Sequence, residues 1–361
     1  MTYAVIMAGG VGTRFWPQSR KSKPKQFLKF FNDRSLIQNT VDRIKKLIPA
    51  ENILVVTNER YVDMVKKQVP EIPSDNIIGE PMGKNTAPCI ALAAAVIQQK
   101  DPEGVMVVLP SDHHITKPDD FIEVLKTAVG KAEEDHSLIT IGIKPHRPET
   151  GYGYIQFDDS DSEIINDNPV HRVVTFAEKP DMETAIQFVN SGDFLWNSGM
   201  FIWKARTILE QMDKHLSQIY KQTRILSNKF DKGDDKKDAI YHFYDNCMSI
   251  SIDYGIMEKA DTVNVVPGDF GWNDVGSWLA VYELEDKDKE GNVSKITHSR
   301  FINSNNCFVS SDSNKLISVV GLQGVAVVET EDAILVCRLD AAQDVKKLVD
   351  SLDTEDTKKF Q

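Results

Sequence analysis

The sequence predicts an α/β protein in which a mixed, mainly parallel, Rossmann-like sheet is followed by a smaller domain of short strands. Three observations lead to this class. Continuous apolar runs alternate with amphipathic stretches over residues 1–145, as in sheets that helices cover on both faces. A glycine-rich segment directly follows the first run. Towards residue 361, short apolar runs are separated by turn residues.

The alternating part predicts strands and helices in order. The strands are the runs AVIMA, ILVVT, VMVVLP and LITIGI. The helices are the amphipathic stretches 35–48, 60–69, 85–99 and 119–134. Two further strands are expected within ETGYGYIQF and VVTFAEKP, before a polar helical stretch at 206–230. Sheets of this kind bind ligands beyond the carboxyl ends of their strands, where segments 9–25 and 111–114 fall.

The pattern changes beyond Glu285, where CFVSS, LISVV, VAVVE and AILVC are separated by DSN, GLQG and ETED. Regular short strands indicate a small all-β unit or a coil of strands. A final amphipathic helix is predicted from apolar residues at i, i+3, i+4 and i+7, namely Val345, Leu348, Val349 and Leu352. We therefore expect two domains, residues 1–285 and residues 286–361.

The composition limits the class of protein and its partners. Hydrophobic residues make up 41% of the chain, but no apolar run approaches the roughly 20 residues that span a bilayer. The N-terminus lacks the regions of a signal peptide, so we expect a cytoplasmic protein with no membrane partner. The four cysteines, at positions 89, 247, 307 and 337, lack CxxC spacing, which argues against a zinc site or a disulfide framework. A net charge of -12 argues against nucleic acid as a partner.

The start of this acidic chain points to a small anion as ligand. The first 32 residues contain no Asp or Glu but six basic side chains, namely Arg14, Arg20, Lys21, Lys23, Lys25 and Lys29. Glycines at positions 9, 10 and 12 lie in the same segment, and backbone amides can approach phosphate oxygens where side chains are missing. A solvated basic loop would explain the charges but not the glycines. We therefore expect phosphate binding.

Two common phosphate-binding motifs are absent. A dinucleotide-binding G-x-G-x-x-G motif starting at Gly10 would need glycine where Phe15 stands. No segment matches the P-loop pattern G-x-x-x-x-G-K-[ST]. The sequence therefore favours neither a dehydrogenase nor a P-loop protein.

The glycine-rich segment resembles the signature of the sugar nucleotidyltransferases, specifically the mannose-1-phosphate guanylyltransferases. GGVGTRFWPQSRKSKPKQF carries the GGxGTR, WPxSR and PKQF motifs of that family. Further similar segments are GKNTAPCIALAA (83–94), LPSDH (109–113), ETGYGYI (149–155), FAEKP (176–180), WNSGMFIW (196–203), SIDYGIME (251–258) and WNDVGSW (272–278). Together they cover most of residues 3–280.

The resemblance implies a site for a nucleoside triphosphate and a metal ion. Backbone amides that would contact the triphosphate belong to Gly9, Gly10, Gly12 and Thr13. Arg14 would hold the departing pyrophosphate, because a guanidinium grips phosphate oxygens bidentately, and Lys25 would neutralise charge at the α-phosphate. Asp112 and Asp274 would be the ligands of Mg²⁺, which prefers few carboxylates together with phosphate oxygens and water.

Two histidines beside Asp112 raise the alternative of a zinc site. Such a site at His113 and His114 would need further His or Cys ligands at suitable spacing. We therefore interpret these histidines as structural or supporting residues.

The resemblance also implies a site for the sugar phosphate, with Lys179 as a third catalytic cation at its phosphate. The residues that would surround the sugar are Gly153, Glu178, Asn197 and Asp253. Taken alone, Asn197 and Asp253 are also compatible with capping or turn roles. Asn85 and Thr86 would meet the guanine base, and they are equally typical of a helix N-cap.

The implied reaction converts GTP and mannose 1-phosphate into GDP-mannose and pyrophosphate. It needs no general base, because a phosphomonoester is mostly dianionic at pH 7. Two alternatives stay open. The first is the same chemistry on another sugar 1-phosphate or nucleotide, such as a heptose phosphate, and the second is a non-catalytic homologue that senses GDP-mannose.

The resemblance bears on the end of the chain as well. Many family members carry an added isomerase domain, for which 361 residues leave no room, so we expect the short form with a single activity. Its final 75 or so residues would resemble a small left-handed β-helix, which is often a dimerisation element. A homodimer is the expected assembly.

Overall fold

The computed structural model describes all residues from Met1 to Gln361. Its strands are β1 Thr2–Ala8, β2 Ile53–Asn58, β3 Ile77–Glu80, β4 Val105–Pro110, β5 His114–Ile115, β6 Leu138–Ile143, β7 Gly153–Ile165, β8 Asn168–Glu178, β9 Phe194–Lys204, β10 Val263–Gly268, β11 Trp272–Asn273, β12 Val293–Ser294, β13 Ser299–Ile302, β14 Phe308–Ser311, β15 Ile317–Val320, β16 Val325–Glu329 and β17 Ile334–Arg338. Its helices are α1 Leu36–Ile44, α2 Val62–Gln68, α3 Thr86–Lys100, α4 Pro118–Glu134, α5 Met182–Ser191, α6 Ala205–His215, α7 Ser217–Asp231, α8 Lys236–Asn246, α9 Trp278–Leu284 and α10 Val345–Ser351.

The alternation of strands and helices predicted for the first part of the chain is confirmed. All predicted strands are present, and the two expected after residue 145 are β7 and β8. The sequence pattern missed three strands of the sheet, β3, β9 and β10. The first of them has only four residues, too few to show a period. The single helical stretch predicted at 206–230 is two helices, because Leu216 leaves helical geometry with φ -133° and ψ 49°.

The chain forms two compact units that do not follow its linear order. The first unit contains residues 1–9, 41–111 and 115–272. The second unit contains residues 10–40, 112–114 and 273–361. The glycine-rich loop therefore belongs to the same unit as the C-terminal strands. The domain boundary expected between residues 285 and 286 stays a prediction.

The first unit is built on a nine-stranded sheet with the order β3-β2-β1-β4-β9-β6-β10-β8-β7. Strands β1, β2, β3 and β4 are mutually parallel, and β6 and β10 share their direction. Only β8 and β9 run the opposite way. The predicted mixed and mainly parallel sheet is thus confirmed.

Helix α3 lies at the centre of the first unit. Every residue from Ala87 to Ala95 is buried, so this part of the helix is apolar around its whole circumference, as expected of a helix with no solvent face. It contacts β1 and β2 on the sheet as well as α6 and α7. The residue that begins this helix is therefore fixed by packing on several sides.

The second unit is a small coil of strands, as predicted. Strands β12, β14 and β16 pair in parallel, as do β13 and β15, while β17 closes the larger group in antiparallel register. Parallel pairing of short successive strands is typical of a β-helix. In α10, Val345 and Val349 are buried as expected. The prediction for Leu348 is wrong, since its side chain is 39% exposed.

Aromatic packing joins the glycine-rich loop to the C-terminal strands within the second unit. Trp278 is fully buried, and its ring contacts Phe15, Phe30 and Phe308 at centroid distances of 5.3, 5.8 and 5.6 Å. Its indole N–H donates to the Trp16 carbonyl at 3.1 Å. Burying several aromatic rings in one cluster is a large hydrophobic gain, which holds the loop on this unit.

Two structural findings concern the apolar residues and the cysteines. None of the helices combines the length and the apolar character needed to cross a membrane. The four cysteines are free thiols, and three of them are buried.

Candidate active site

The glycine-rich loop is braced by its own backbone. The Lys25 amide donates to the Val11 carbonyl at 3.0 Å, and the Ser19 hydroxyl donates to the same oxygen at 2.7 Å. Gly12 has a φ of +72°, and a Cβ atom at this position would collide with the Cβ of Lys25. Only glycine meets both conditions, because other residues rarely adopt positive φ. The loop thus fixes the position of Lys25.

Lys25 connects three distant segments through its ammonium group. Its Nζ donates to Asp112 Oδ2 at 2.9 Å and to the Asp274 backbone carbonyl at 2.7 Å. The residue is only 6% exposed, and its Nζ lies 5.6 Å from the centroid of the Phe15 ring. A buried ammonium is stable only when such partners surround it. Asp112 and Asp274 are therefore held near the loop.

Each aspartate is also constrained by its own surroundings. Burial alone would raise the pKa of Asp112, but the charges of Lys25 and His113 outweigh this effect and lower it, so the side chain is a carboxylate at neutral pH. Asp274 precedes Val275, a buried residue with a φ of +49° whose amide donates to the Asn273 side chain at 2.7 Å. Positive φ is costly for a β-branched residue, and such strain is concentrated at functional sites.

These residues surround a cavity of about 310 Å³ in the second unit. Of the residues predicted for the triphosphate and metal, the lining includes Gly12, Thr13, Arg14, Lys25, Asp112 and Asp274. Gly9 and Gly10 are not among the lining residues, and a Cβ at Gly10 would meet no atom within 4 Å. The structure therefore brings together most of the predicted set, but it gives no steric reason for glycine at position 10.

Only part of the basic run serves this cavity. Arg14 is exposed at its edge, where the guanidinium forms no hydrogen bond or ion pair. Arg20 instead forms a 2.8 Å ion pair with Asp332 and donates to the Phe360 carbonyl. Arg20 therefore stabilises the second unit rather than a ligand.

The sequence analysis did not identify every residue of the cavity. His113 and Gly276 line it beside the two aspartates, and Lys346 reaches it from α10. The position of Lys346, more than 300 residues beyond the loop, depends on tertiary packing, so no local motif indicates it. The ring of His114 packs on Phe31 at 4.0 Å, which agrees with a structural role.

The residues predicted for the sugar phosphate form a second cluster in the first unit. Asn197 donates from Nδ2 to Asp253 Oδ1 at 2.9 Å. Lys179 pairs with Glu178, and a Cβ at Gly153 would collide with the Glu178 carboxylate. Glycine at position 153 therefore leaves the space that this carboxylate occupies, and all five predicted residues lie together.

Backbone geometry at this cluster is unusual at two places. Lys179 has a φ of +51°, although it is not a glycine. Asp253 begins a π-helical turn, Asp253–Met257, and such turns are frequent at functional sites. Irregular backbone therefore occurs at two charged residues of this cluster.

The electrostatics of the cluster are dominated by two neighbouring carboxylates. Burial first, and then the negative charge of Glu178, raise the pKa of Asp253 to about 6, although the Asn197 hydrogen bond and Lys179 act in the other direction. Glu178 Oε2 is buried and has no hydrogen-bond partner. A buried acceptor without a donor is costly, so this oxygen suits a ligand that donates hydrogen bonds.

The ammonium of Lys179 stays charged in this setting. Burial acts to lower the pKa of Lys179, but the hydrogen bond and charge of Glu178, with smaller contributions from Tyr254 and Asp253, raise it above its usual value. The side chain is 55% exposed and can therefore reach an anionic ligand.

Asn85 and Thr86 begin α3, and the N-cap interpretation is confirmed. The Asn85 side chain accepts a hydrogen bond from the Thr86 amide at 2.9 Å, with a φ of +66° at Asn85. Thr86 Oγ1 accepts from the Ile252 amide at 2.8 Å. This bond ties the start of α3 to the residue before Asp253. A contact with a base is compatible with the cap, since Asn85 is exposed.

The carboxylates of the first cavity suit a magnesium ion better than zinc. No group of three or more His, Cys, Asp or Glu side chains is arranged to hold a metal. Asp112 and Asp274 alone line the cavity as acidic residues. Two hard oxygen donors fit Mg²⁺, which completes its shell with water and substrate phosphate, whereas a protein zinc site uses His or Cys ligands in larger number.

Comparison with known proteins gives two family matches. Residues 3–291 match the family described as Nucleotidyl transferase. Residues 301–352 match the MannoseP isomerase/GMP-like beta-helix domain. The two matches cover the glycine-rich loop, the sheet and the C-terminal strands.

Individual relatives agree with these matches. The chain is 39% identical over 355 residues to the mannose-1-phosphate guanylyltransferase of Klebsiella pneumoniae, covering 98% of this chain and 74% of that protein. It is 38% identical to the alginate biosynthesis protein AlgA of Pseudomonas aeruginosa, covering 97% of this chain and 72% of that protein. A crystal structure from Thermus thermophilus, described as a mannose-1-phosphate geranyltransferase, superimposes with a TM-score of 0.85 at 30% identity and covers 98% of this chain and 99% of that one.

The Gly12→Ala variant tests the constraint on the loop. We expect it to lower the stability by about 2 kcal/mol or more, because alanine adds both positive-φ strain and a collision with Lys25. The midpoint of thermal unfolding should fall by several degrees in calorimetry. Gly10→Ala is the matched control and should melt close to the parent protein. Equal melting of the Gly12→Ala variant and the parent would contradict the assigned constraint.

The raised pKa of Asp253 is directly measurable by carbon NMR of labelled aspartate. We expect this carboxyl group to titrate near pH 6, and we expect Glu178→Gln to lower that value because it removes the neighbouring negative charge. Between about pH 4 and pH 6 the folded protein binds the extra proton, so the contribution of Asp253 to stability falls as pH rises. Asp181, whose pKa is lowered by hydrogen bonds from Thr184, serves as the control. Titration of Asp253 near pH 4 would refute the assignment.

Proposed function

The chain belongs to the nucleotidyl transferase family and, within it, to the mannose-1-phosphate guanylyltransferases, and from this membership we propose how its residues carry out the reaction. The enzyme transfers GMP from GTP to α-D-mannose 1-phosphate, which gives GDP-mannose and pyrophosphate. The observation that carries the residue assignment is the cavity in which Arg14, Lys25, Asp112 and Asp274 meet.

The triphosphate binds at the glycine-rich loop in this proposal. Amides of the loop, from Gly9 to Thr13, approach its phosphate oxygens, as backbone donors do in other anion sites. Arg14 binds the two outer phosphates, which leave as pyrophosphate. Its exposed position without a protein partner supports this role, since no ion pair has to be broken when the ligand arrives.

Lys25 neutralises charge at the α-phosphate and keeps the two aspartates in place. The hydrogen bonds of its ammonium group to Asp112 and to the Asp274 carbonyl support the second task. Asp112 and Asp274 would hold the divalent metal that enzymes of this family use, which we propose to be Mg²⁺. When bound, this ion would supply positive charge next to the phosphate oxygens and the departing pyrophosphate.

The sugar phosphate binds at the second cluster. Lys179 pairs with its phosphate, and the buried Glu178 oxygen that has no donor accepts a hydrogen bond from a sugar hydroxyl. Asn197 and Asp253 contact further hydroxyls, and Gly153 leaves the room for these side chains. Asn85 and Thr86 contact the guanine base from the start of α3.

The chemical step is an in-line displacement at the α-phosphorus. An oxygen of the sugar phosphate forms a bond to this phosphorus, and the bond to the β-phosphate oxygen breaks, with its electron pair leaving on pyrophosphate. The attacking phosphate is already mostly dianionic at pH 7, because its second pKa is about 6. Catalysis therefore rests on alignment and on charge neutralisation by Arg14, Lys25 and Lys179.

A pyrophosphate-release assay tests the substrates. The common nucleoside triphosphates are each combined with mannose, glucose and heptose 1-phosphates, and we expect GTP with mannose 1-phosphate to give the highest kcat/KM. A higher kcat/KM with another pair would show that the enzyme catalyses the same reaction on a different nucleotide or sugar phosphate. Binding of GDP-mannose without turnover of any pair would identify a sensor rather than an enzyme.

The Asp112→Ala and Lys25→Met variants test the proposed roles in catalysis. We expect each to lower kcat by about 100-fold or more, as does the loss of one preorganised charge in other enzymes. The formation of GDP-mannose is followed by chromatography at saturating substrate and Mg²⁺.

The matched control for the lysine is Lys23→Met, a change at an exposed position of the same loop, which should retain parental turnover. Circular dichroism verifies that the variants are folded. GDP-mannose formation by Asp112→Ala at the parental rate would remove this residue from the metal site.

A further inference from the structure

Lys346 lies far from every motif of the sequence, yet it lines the same cavity as Arg14 and Lys25. It is the second residue of α10, on the exposed side of that helix. Val345 and Val349 on the other side are buried in the core cluster that contains Phe15. Helix α10 contacts the 3₁₀ turn Thr13–Phe15, which carries Arg14. The position of Lys346 beside the loop is therefore set by core packing.

The ammonium group of Lys346 has no partner within the chain. Its neighbour Lys347 forms an ion pair with Asp344 at 2.7 Å, and Lys25 is bonded to Asp112 and Asp274. Lys346 forms no ion pair or hydrogen bond within the chain, although the net charge is -12. Two cations of this cavity, Arg14 and Lys346, are thus available to a ligand.

Two unpaired cations at the edge of one cavity favour an anion with more than one charged group. A lysine ammonium acts as a mobile point charge on a flexible stem, whereas arginine binds oxygens in a fixed bidentate geometry. A diphosphate carries negative charge on two phosphoryl groups, so it can interact with two such cations at once. Of the two carboxylates of the cavity, that of Asp112 already pairs with Lys25.

We propose that Lys346 is a second binding residue for the outer phosphates of the nucleotide and for the pyrophosphate that leaves, acting together with Arg14. The inference rests on the proposed function for the identity of the ligand. It gives the C-terminal unit a direct role in substrate binding, because α10 then supplies a charged group to the reaction.

Titration calorimetry with inorganic pyrophosphate and Mg²⁺ tests this role without requiring turnover. We expect Lys346→Gln to weaken binding about tenfold, which corresponds to about 1.4 kcal/mol, and Lys346→Arg to retain most of the affinity. Lys347→Gln is the matched control, because it removes the same charge from the adjacent position that pairs with Asp344. Its affinity should equal that of the parent protein.

Steady-state kinetics provide the second readout on the same variants. For Lys346→Gln we expect the KM for GTP, and for pyrophosphate in the reverse direction, to rise about tenfold while the KM for mannose 1-phosphate stays unchanged. Unchanged pyrophosphate affinity and GTP KM would overturn the inference, as would an equal rise in the KM of both substrates. An inactive parent protein that still loses pyrophosphate affinity in Lys346→Gln would refute the proposed function and leave this inference standing.

Discussion

The ammonium group of Lys25 is the interaction on which the first cavity depends. It joins the glycine-rich loop to Asp112 and to the Asp274 carbonyl, groups that come from three separate parts of the chain. A buried ammonium is tolerated only with such partners, so the loop, both aspartates and the strained residue Val275 constrain one another. Gly12 belongs to the same constraint, because any side chain there would displace Lys25. The contacts that hold the loop in place are thus the same contacts that shape the cavity.

The second cluster follows a different physical rule. Glu178 and Asp253 place two acidic groups close together with Lys179 as their nearby cation, and one carboxylate oxygen has no donor. Burial and the nearby charge of Glu178 make the ionised form of Asp253 unfavourable, which is why its pKa is raised. A sugar phosphate carries hydroxyl groups that can donate a hydrogen bond to Glu178. It also carries a negative charge that can pair with Lys179. The protein keeps this site polar at the expense of its own stability.

Much of the sheet could be predicted from sequence because buried parallel strands leave continuous apolar runs, as in β1 and β4. Motifs also indicated Lys25, Asp112 and Asp274, since their residue types lie in recognisable segments. The two compact units and the position of Lys346 could not be predicted, because both depend on contacts across hundreds of residues. Likewise the helix break at Leu216 and the raised pKa of Asp253 depend on tertiary surroundings, which the hydrophobic periodicity of the sequence does not indicate.

The composition of the second unit has a consequence for biosynthesis. The glycine-rich loop is translated before Trp278, Phe308 and Val349, which belong to the same core cluster. While the ribosome is producing the sheet, the side chains of Phe15 and Phe30 can contact each other, but they lack their native contacts with Trp278. The core cluster that the loop shares can therefore be completed only after α10 has been made, and a chain stalled on the ribosome before α10 lacks the contacts of this helix with the turn Thr13–Phe15.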